Sequence, residues 1–259
     1  KQAIATIGKS CKPDCLILVE TTVPPVTCKK VVEPIIYEEL TKRGLSTEKI
    51  NIGHSYERVM PGPNYIDSIL NFYRVYSGVN DRSAIRIEKF LKTIINTEQF
   101  PLTRLGNTNA SEIAKVLENS YRAMNISFIV EWTQLASTAE VDLFEVVNAI
   151  RLRDTHSNMM FPGLGVGGYC LTKDPLLASW GAQNLLNKET NLPMSELAVS
   201  TNDQMPHEAI LYLEDRFESK LAGKKILLLG ITYRGDVGDT RFSPVADFAN
   251  HLLKANALL

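Results

Sequence analysis

Residues Cys15–Glu20 have the sequence CLILVE, a short apolar run rich in branched side chains. Such a run is typical of a strand that is buried in a parallel sheet. The following TTVPP interrupts the strand, and Val26–Arg43 has the pattern of a helix that stops at Gly44. We therefore expect an α/β fold, with a helix following its first strand.

The alternation of strands and helices continues over the first hundred residues. Lys49–Ser55 and Phe72–Gly78 are predicted strands, and Arg82–Ile95 is a predicted helix. A β-α-β order of this kind indicates a doubly wound, Rossmann-like sheet.

The middle of the chain differs, because Asn109–Glu140 contains neither glycine nor proline and its apolar residues recur every three or four positions. This pattern predicts one long helix that joins two domains. Further helices are predicted over Asp142–Arg151, with Asp142 as its cap, and over Lys173–Asn187 and Ser195–Arg216. Lys224–Leu229 is then a predicted buried strand and Pro244–Lys254 a predicted helix, which together begin a second α/β unit.

Composition excludes several classes of protein. The formal net charge of the 259 residues is -1, and lysine and arginine are scattered, so nothing favours nucleic acid or an anionic membrane as a partner. No apolar run approaches the ~20 residues that span a bilayer. The four cysteines, at positions 11, 15, 28 and 170, form no metal-ligand pattern and fit a reducing cytoplasm.

The stretch Phe161–Pro175, FPGLGVGGYCLTKDP, holds four glycines just before a cysteine. It follows no predicted strand and lacks G-x-G-x-x-G spacing, so it is not a dinucleotide fingerprint, and Asp236 after Gly235 rules out a Walker A loop. A thiol near a helix N-terminus is activated as a thiolate. Cys170 is therefore a candidate nucleophile, although a flexible loop and a small buried hydrophobe remain alternatives.

At these residues the chain resembles the nucleotide-sugar 6-dehydrogenases, which include the UDP-glucose, GDP-mannose and UDP-N-acetylhexosamine dehydrogenases. Pro162–Asp174 is similar to their signature P-G-x-G-x-G-G-x-C-x-x-K-D. Four more stretches resemble family motifs in the family order: Glu20–Thr27, Ser55–Gly62 (family P-E-R-x-x-P-G), Ala110–Phe128 and Leu227–Pro244.

The resemblance implies three parts of a soluble, cytoplasmic homodimer. Residues 1–107 would be the C-terminal part of an NAD-binding Rossmann-like domain, 108–218 a central helical dimerisation domain with the cysteine loop, and 219–259 the truncated beginning of a nucleotide-sugar-binding domain. The implied reaction is the four-electron oxidation of a UDP-sugar C6 alcohol to a uronate for surface polysaccharide, with NAD as the oxidant and a thioester on cysteine. The N-acetylhexosamine branch is the more similar one.

The resemblance also implies roles for single residues. Cys170 would be the nucleophile, Lys115 and Asn119 would stabilise negative charge, Asp174 and Thr22 would hold the hydrolytic water, and Glu57 would be an acid/base group. Substrate contacts would come from Gly163, Gly165, Gly167, Gly168, Arg234, Arg241 and Arg153, and cofactor contacts from Thr22, Glu20 and Lys173. Ordinary alternatives exist: a solvated helix face for Lys115 and Asn119, a surface pair for Glu57 and Arg58, and a helix cap for Thr22.

Departures from the family pattern lead to further expectations. The family's N-terminal NAD fingerprint is not recognised in the chain, so we expect a fragment that does not turn over alone. Val26 stands where the family has glycine, so its turn is expected to take another conformation. Two rival functions remain open: a two-electron hydroxyacid-type dehydrogenase and a non-catalytic oligomerisation or binding fragment of the same fold.

Overall fold

The computed structural model describes residues 1–59, 61–218 and 220–259. They form two compact units, the first made of Lys1–Leu117 with Leu177–Asn191, and the second of Glu118–Leu176 with Leu192–Leu259. The division into three domains stays a prediction, and its last boundary falls on Ser219, outside the described residues. Across the described ranges, every helix is too short or too polar to cross a membrane.

The elements that position the candidate site follow in chain order. The strands are β1 (Leu16–Val19), β2 (Asn51–His54), β3 (Val75–Gly78) and β4 (Thr103–Arg104). The helices are α1 (Gln2–Ser10), α2 (Glu33–Lys42), α3 (Tyr65–Leu70), α4 (Asp81–Leu91), α5 (Thr108–Thr138), α6 (Leu143–Arg151), α7 (Leu177–Leu186), α8 (Pro193–Arg216) and α9 (Pro244–Lys254).

The first unit is built on a sheet of order β1-β2-β3-β4. The pairs β1–β2 and β3–β4 are parallel, whereas β2 and β3 are antiparallel. The sheet is therefore mixed, and the predicted α/β architecture is confirmed. The strands are two to three residues shorter than the apolar runs suggested, because only residues with ladder partners count as strand.

Helices cover both faces of this sheet. Successive side chains of β1 point to opposite faces, so the strand contributes to the core on each side. Ile17 packs with Ile36 and Leu40 of α2. Leu16 and Leu18 pack on the other side, in the cluster built around α4. This alternation explains why all four residues of β1 are apolar, and it is the doubly covered sheet that the sequence predicted.

The second unit is mainly helical. Its core joins α8 and α9 through the buried side chains of Ile210, Leu221, Phe248, Leu252 and Ala257. The predicted strand Lys224–Leu229 is wrong: only Lys225 forms an isolated bridge, with Leu258. Leu227 and Leu229 are 82% and 90% exposed, and among the described residues no strand pairs with them.

The helix predictions fare better. The long helix is confirmed as α5, and the Asp142 carboxylate caps α6 by accepting the Phe144 N–H at 2.9 Å. The helix expected from Lys173 begins later, since a 3₁₀ turn, Asp174–Leu176, precedes α7. Pro175 explains the delay, because it lacks an N–H donor and disfavours α-helical backbone in the residue before it.

Candidate active site

Cys170 ends the glycine loop of the second unit, and it is exposed to solvent. Its carbonyl oxygen accepts the Asp174 N–H at 2.9 Å, which closes a turn directly after the cysteine. The α-helix begins only at Leu177, so Cys170 lies farther from the helix N-terminus than the predicted start at Lys173 implies. The alternative of a small buried hydrophobe is wrong. The thiol is accessible, as covalent chemistry requires.

Asp174 is the polar centre of this turn and is only 1% exposed. Its Oδ2 accepts a hydrogen bond from the Asn119 side-chain amide at 2.7 Å, and its Oδ1 lies 2.6 Å from the Lys173 nitrogen. Asn119 is itself buried on α5. The two side chains therefore tie the cysteine turn to α5, and a solvated face is wrong for Asn119.

Lys115 lies one turn before Asn119 on α5 and is 7% exposed, so the solvated-face alternative is wrong for it too. Its ammonium donates to the Glu57 backbone carbonyl at 3.2 Å and lies 5.4 Å from the centroid of the Tyr56 ring. Within residues 1–59, 61–218 and 220–259 it forms no ion pair with a carboxylate. A buried, unneutralised ammonium is suited to stabilise an oxyanion.

Glu57 and Thr22 belong to the first unit. Glu57 is half-buried, and its carboxylate accepts the Val59 N–H at 2.5 Å. Met60, within the same motif, lies outside the described residues. Thr22 is half-buried but does not cap the next helical segment, which starts at Cys28 after Thr27. The capping alternative is therefore wrong, and the catalytic roles of both residues stay predictions.

The carboxyl ends of β1 and β2 meet at one edge of the sheet, where cofactors bind in open α/β folds. Glu20 follows β1, and its carboxylate pairs with the buried guanidinium of Arg74. His54 ends β2 and is fully buried, with Nδ1 2.8 Å from the Ser111 hydroxyl. Burial lowers the pKa of His54 to about 4, and the Lys115 charge acts in the same direction. The Thr21 backbone opposes this shift in the pKa of His54.

Sequence reasoning missed one buried group in the first unit. Glu112 on α5 is fully buried, and its Oε1 accepts the Cys28 N–H at 2.7 Å, at the start of the helical segment that leads into α2. Burial raises the pKa of this carboxyl, while the N–H groups of Cys28, Val26 and Thr27 oppose the shift. Val26 has a φ of +66°, in the left-handed region that favours glycine, and the expected difference from the family's turn stays a prediction.

The candidate substrate glycines have a structural reason within the second unit. A Cβ on Gly165 would lie 2.9 Å from the Asn202 carbonyl oxygen, and one on Gly167 would lie 2.3 Å from the Cβ of Tyr233. Gly168 has a φ of +79° and faces the same tyrosine ring, whereas space around Gly163 is open. Packing thus excludes side chains at three positions, and substrate contact there stays a prediction.

The three candidate arginines differ in their surroundings. Arg241 forms a fork with the Asp239 carboxylate at 2.9 and 2.7 Å, which lowers the pKa of Asp239 to about 2. Its guanidinium lies 4.9 Å from the centroid of the Tyr169 ring, next to Cys170 in the chain. Arg234 and Arg153 are exposed. Of these three arginines, only Arg241 has side-chain contacts that the structure describes.

A cleft of about 330 Å³ in the second unit adjoins the glycine loop. It is lined by Val166, Thr172, Lys173, Asn202, Asp203, Pro206, Phe242, Pro244 and Asp247. Burial raises the pKa of Asp203, and Asp247 raises it further. The cleft thus presents two carboxyl groups, of Asp203 and Asp247, and one ammonium, of Lys173.

Comparisons with known proteins agree with this architecture. Residues 1–96 match the NAD-binding domain of the UDP-glucose/GDP-mannose dehydrogenase family, and residues 109–204 match its central domain. The first match corrects one expectation, because the N-terminal NAD-binding signature of the family is present in the chain. UDP-N-acetyl-D-mannosamine dehydrogenase from Pyrococcus horikoshii is 32% identical over 255 residues, which are 96% of this chain and 56% of that protein.

Solved structures are similar over nearly the whole chain. NDP-N-acetyl-D-galactosaminuronic acid dehydrogenase from Methanosarcina mazei Go1 superposes with a TM-score of 0.83 at 25% identity, covering 99% of this chain and 55% of that one. UDP-glucose dehydrogenase from Pyrobaculum islandicum superposes with a TM-score of 0.83 at 26% identity, and the match covers 99% of this chain and 57% of that one. The chain thus spans about half the length of the relatives it matches. The two domain matches together take in about three quarters of its residues, and the chain belongs to the UDP-glucose/GDP-mannose dehydrogenase family.

Proposed function

We propose that this protein oxidises the C6 alcohol of a UDP-sugar to a carboxylate, with NAD as oxidant and Cys170 as covalent nucleophile. Family membership supports the oxidoreductase activity. One observation carries the covalent step: the exposed Cys170 begins a turn whose buried Asp174 is hydrogen-bonded to Asn119 at 2.7 Å. An accessible thiol, followed in the chain by a buried carboxylate, fits thioester formation and hydrolysis.

Each residue has a separate task in this proposal. The Cys170 thiolate adds to the C6 aldehyde carbon and later carries the acyl group as a thioester, which water cleaves to release the acid and the thiol. The Lys115 ammonium and the Asn119 amide stabilise the oxyanion. Asp174 and Thr22 hold the water, and Glu57 exchanges its proton.

The first unit has features that fit a dinucleotide. The parallel strands β1 and β2 present their carboxyl ends together at one edge of the sheet. Glu20 and Thr22 follow β1 and would hold the cofactor. When bound, NAD accepts the hydride at both oxidation steps. Lys173 would also contact the cofactor, although its ammonium already pairs with the Asp174 carboxylate.

The substrate we propose is a UDP-N-acetylhexosamine, because the relative from Pyrococcus horikoshii bears the name of such an enzyme. UDP-glucose is the second candidate, since the Pyrobaculum islandicum relative is named for it. We further propose that the protein is a cytoplasmic homodimer. The contact helix would be α5, because this helix exposes a row of large apolar side chains.

The stoichiometry of NADH tests this function. The protein at its natural full length, supplied with UDP-N-acetylmannosamine or UDP-glucose, should produce two NADH for each sugar consumed, and Cys170→Ser should form no acid. Cys11→Ser, which also replaces a free cysteine, should keep the wild-type ratio. Acid formation at the parental rate by Cys170→Ser would refute the covalent step.

The same assay separates the two rivals. One NADH for each sugar would favour the two-electron dehydrogenase, and binding without any NADH would favour a non-catalytic module. The four-electron reaction is supported by the exposed Cys170 and by the buried Asp174 four residues later, because neither rival needs an exposed thiol in this turn.

A further inference from the structure

Tyr56 lies two residues beyond the end of β2 and is only 2% exposed. It occupies the position of proline in the P-E-R-x-x-P-G motif that this stretch resembles. The centroid of its ring lies 5.4 Å from the Lys115 nitrogen and 5.5 Å from the guanidinium carbon of Arg58. The face of an aromatic ring attracts a cation at such distances, and the attraction strengthens where water is excluded.

The ring supplies what the buried Lys115 needs. An ammonium that is removed from water must be compensated, and a carboxylate partner would neutralise it. In the described part of the chain Lys115 has no such partner; it has the Tyr56 ring and the Glu57 carbonyl at 3.2 Å. These two neutral groups hold the ammonium and leave its positive charge in place.

The surroundings hold the ring itself. Arg58 donates to the Tyr56 hydroxyl at 3.3 Å and is also placed by the Tyr73 carbonyl at 3.1 Å. The His54 ring packs against Tyr56 with a centroid distance of 6.1 Å. Because His54 is buried and neutral, it adds no second positive charge beside the ammonium.

We propose that Tyr56 is a positioning residue, whose ring fixes the Lys115 ammonium as an unneutralised charge for a developing oxyanion. The oxyanion rests on the proposed function, whereas the anchoring of Lys115 does not. The role belongs to the face of the ring, because the hydroxyl contacts Arg58 instead.

Three kinds of substitution at this position test the proposal in the full chain. Tyr56→Leu removes the ring, Tyr56→Phe keeps it and removes only the hydroxyl, and fluorinated phenylalanines weaken the negative face with little change of shape. With UDP-sugar and NAD, we expect Tyr56→Leu to lower kcat about tenfold or more, with KM changed less than about threefold. Tyr56→Phe should keep kcat near the wild-type value. Each fluorine added to the phenylalanine ring should lower kcat further.

A second readout does not depend on turnover. In protein labelled with carbon-13 lysine, the Lys115 ε-protons should resonate upfield of other lysines because of the ring current, and Lys115→Arg identifies the signal. The upfield shift should persist in Tyr56→Phe and disappear in Tyr56→Leu. The fluorinated series covers the case in which Tyr56→Leu does not fold.

The outcomes are separable. If the signal is not shifted in the wild type, or if kcat is insensitive to fluorination, the positioning role is refuted. Equal losses in Tyr56→Phe and Tyr56→Leu would refute it as well, because they would assign the effect to the hydroxyl or to packing. If no nucleotide sugar is oxidised but the Lys115 shift follows the ring, the proposed function fails and the anchor stands.

Discussion

At the scale of single residues, burial decides which polar groups are available for chemistry. Lys115, Asn119 and Asp174 are nearly inaccessible, yet each keeps a defined polar partner. Cys170 is exposed on the turn that Asp174 closes. Polar groups in such places cost folding free energy, so their retention is typical of functional positions.

His54 allows a test of burial through pH. Its pKa is about 4 in the folded chain against about 6.5 in an unfolded one, so the unfolded state binds the proton more readily. This contribution to the free energy of unfolding is complete above about pH 6.5 and is lost as the pH falls towards 4, by up to about 3 kcal/mol. Denaturant unfolding across this range should show the loss.

Two variants isolate this effect. His54→Gln should flatten the fall in stability between pH 6.5 and 4 relative to the wild type, whereas His251→Gln, at an exposed histidine, should leave it unchanged. An unchanged pH dependence in His54→Gln would show that His54 is not buried in its neutral form.

The glycine loop gives a steric prediction. Gly167→Ala would bring a Cβ within 2.3 Å of Tyr233 and 2.7 Å of the Phe242 carbonyl oxygen. We expect a loss of about 1–3 kcal/mol in the free energy of unfolding, the usual cost of overpacking. Gly163→Ala, where nothing lies within 4 Å, is the matched control and should be nearly neutral. If Gly167→Ala and Gly163→Ala were equally stable in thermal unfolding, the described packing around Gly167 would be contradicted.

At the scale of elements, α5 organises the first unit through a buried carboxylate. Glu112 accepts the N–H of Cys28 and thereby satisfies a donor at the start of the segment before α2. A negative group at a helix start also interacts favourably with the helix dipole. The helix that carries Lys115 is thus connected to the loop that carries Thr22.

Removing this carboxylate should cost stability. We expect Glu112→Ala to lower the free energy of unfolding by about 1–3 kcal/mol, because the buried Cys28 N–H loses its acceptor. Glu112→Gln should lose less, since its amide oxygen still accepts. Glu131→Ala, at an exposed position of α5, should change it by less than about 0.5 kcal/mol. A loss in Glu112→Ala no larger than in Glu131→Ala would dismiss the role.

The element scale also shows how far periodicity carries. The 3.6-residue period and the absence of glycine and proline predicted α5 within two residues at each end, and the Asp142 cap is confirmed. The strand Lys224–Leu229 was wrong because an apolar run becomes a strand only beside a partner strand. The later start of α7 follows from Pro175, whose effect on the backbone is local.

At the scale of the whole molecule, the long helix exposes a row of large apolar side chains: Ile113, Leu117, Tyr121, Phe128, Trp132 and Leu135. Their spacing places them along one face, and a face of this kind is suited to a partner surface. The proposed homodimer would bury it.

The oligomeric state checks this expectation. Leu135 is 58% exposed, so Leu135→Lys leaves the fold of the chain unchanged but introduces a charge into the proposed contact. We expect sedimentation to give a dimer for the wild type and a monomer for Leu135→Lys. Thr133→Lys, at an exposed position on the opposite face of the same helix, should remain a dimer, and a dimeric Leu135→Lys would exclude this face as the contact.

The sequence by itself determined the α/β class, the long helix, the family and the identity of the candidate residues, because these depend on local periodicity and on motif letters. Only the tertiary structure decided that β3 runs antiparallel to β2, that Asp174 bonds Asn119, and that Tyr56 faces Lys115. In each of the two side-chain pairs the partners are 55 or more positions apart in the chain. No local pattern encodes which distant side chains meet. They arise when burial forces each polar group to find a partner.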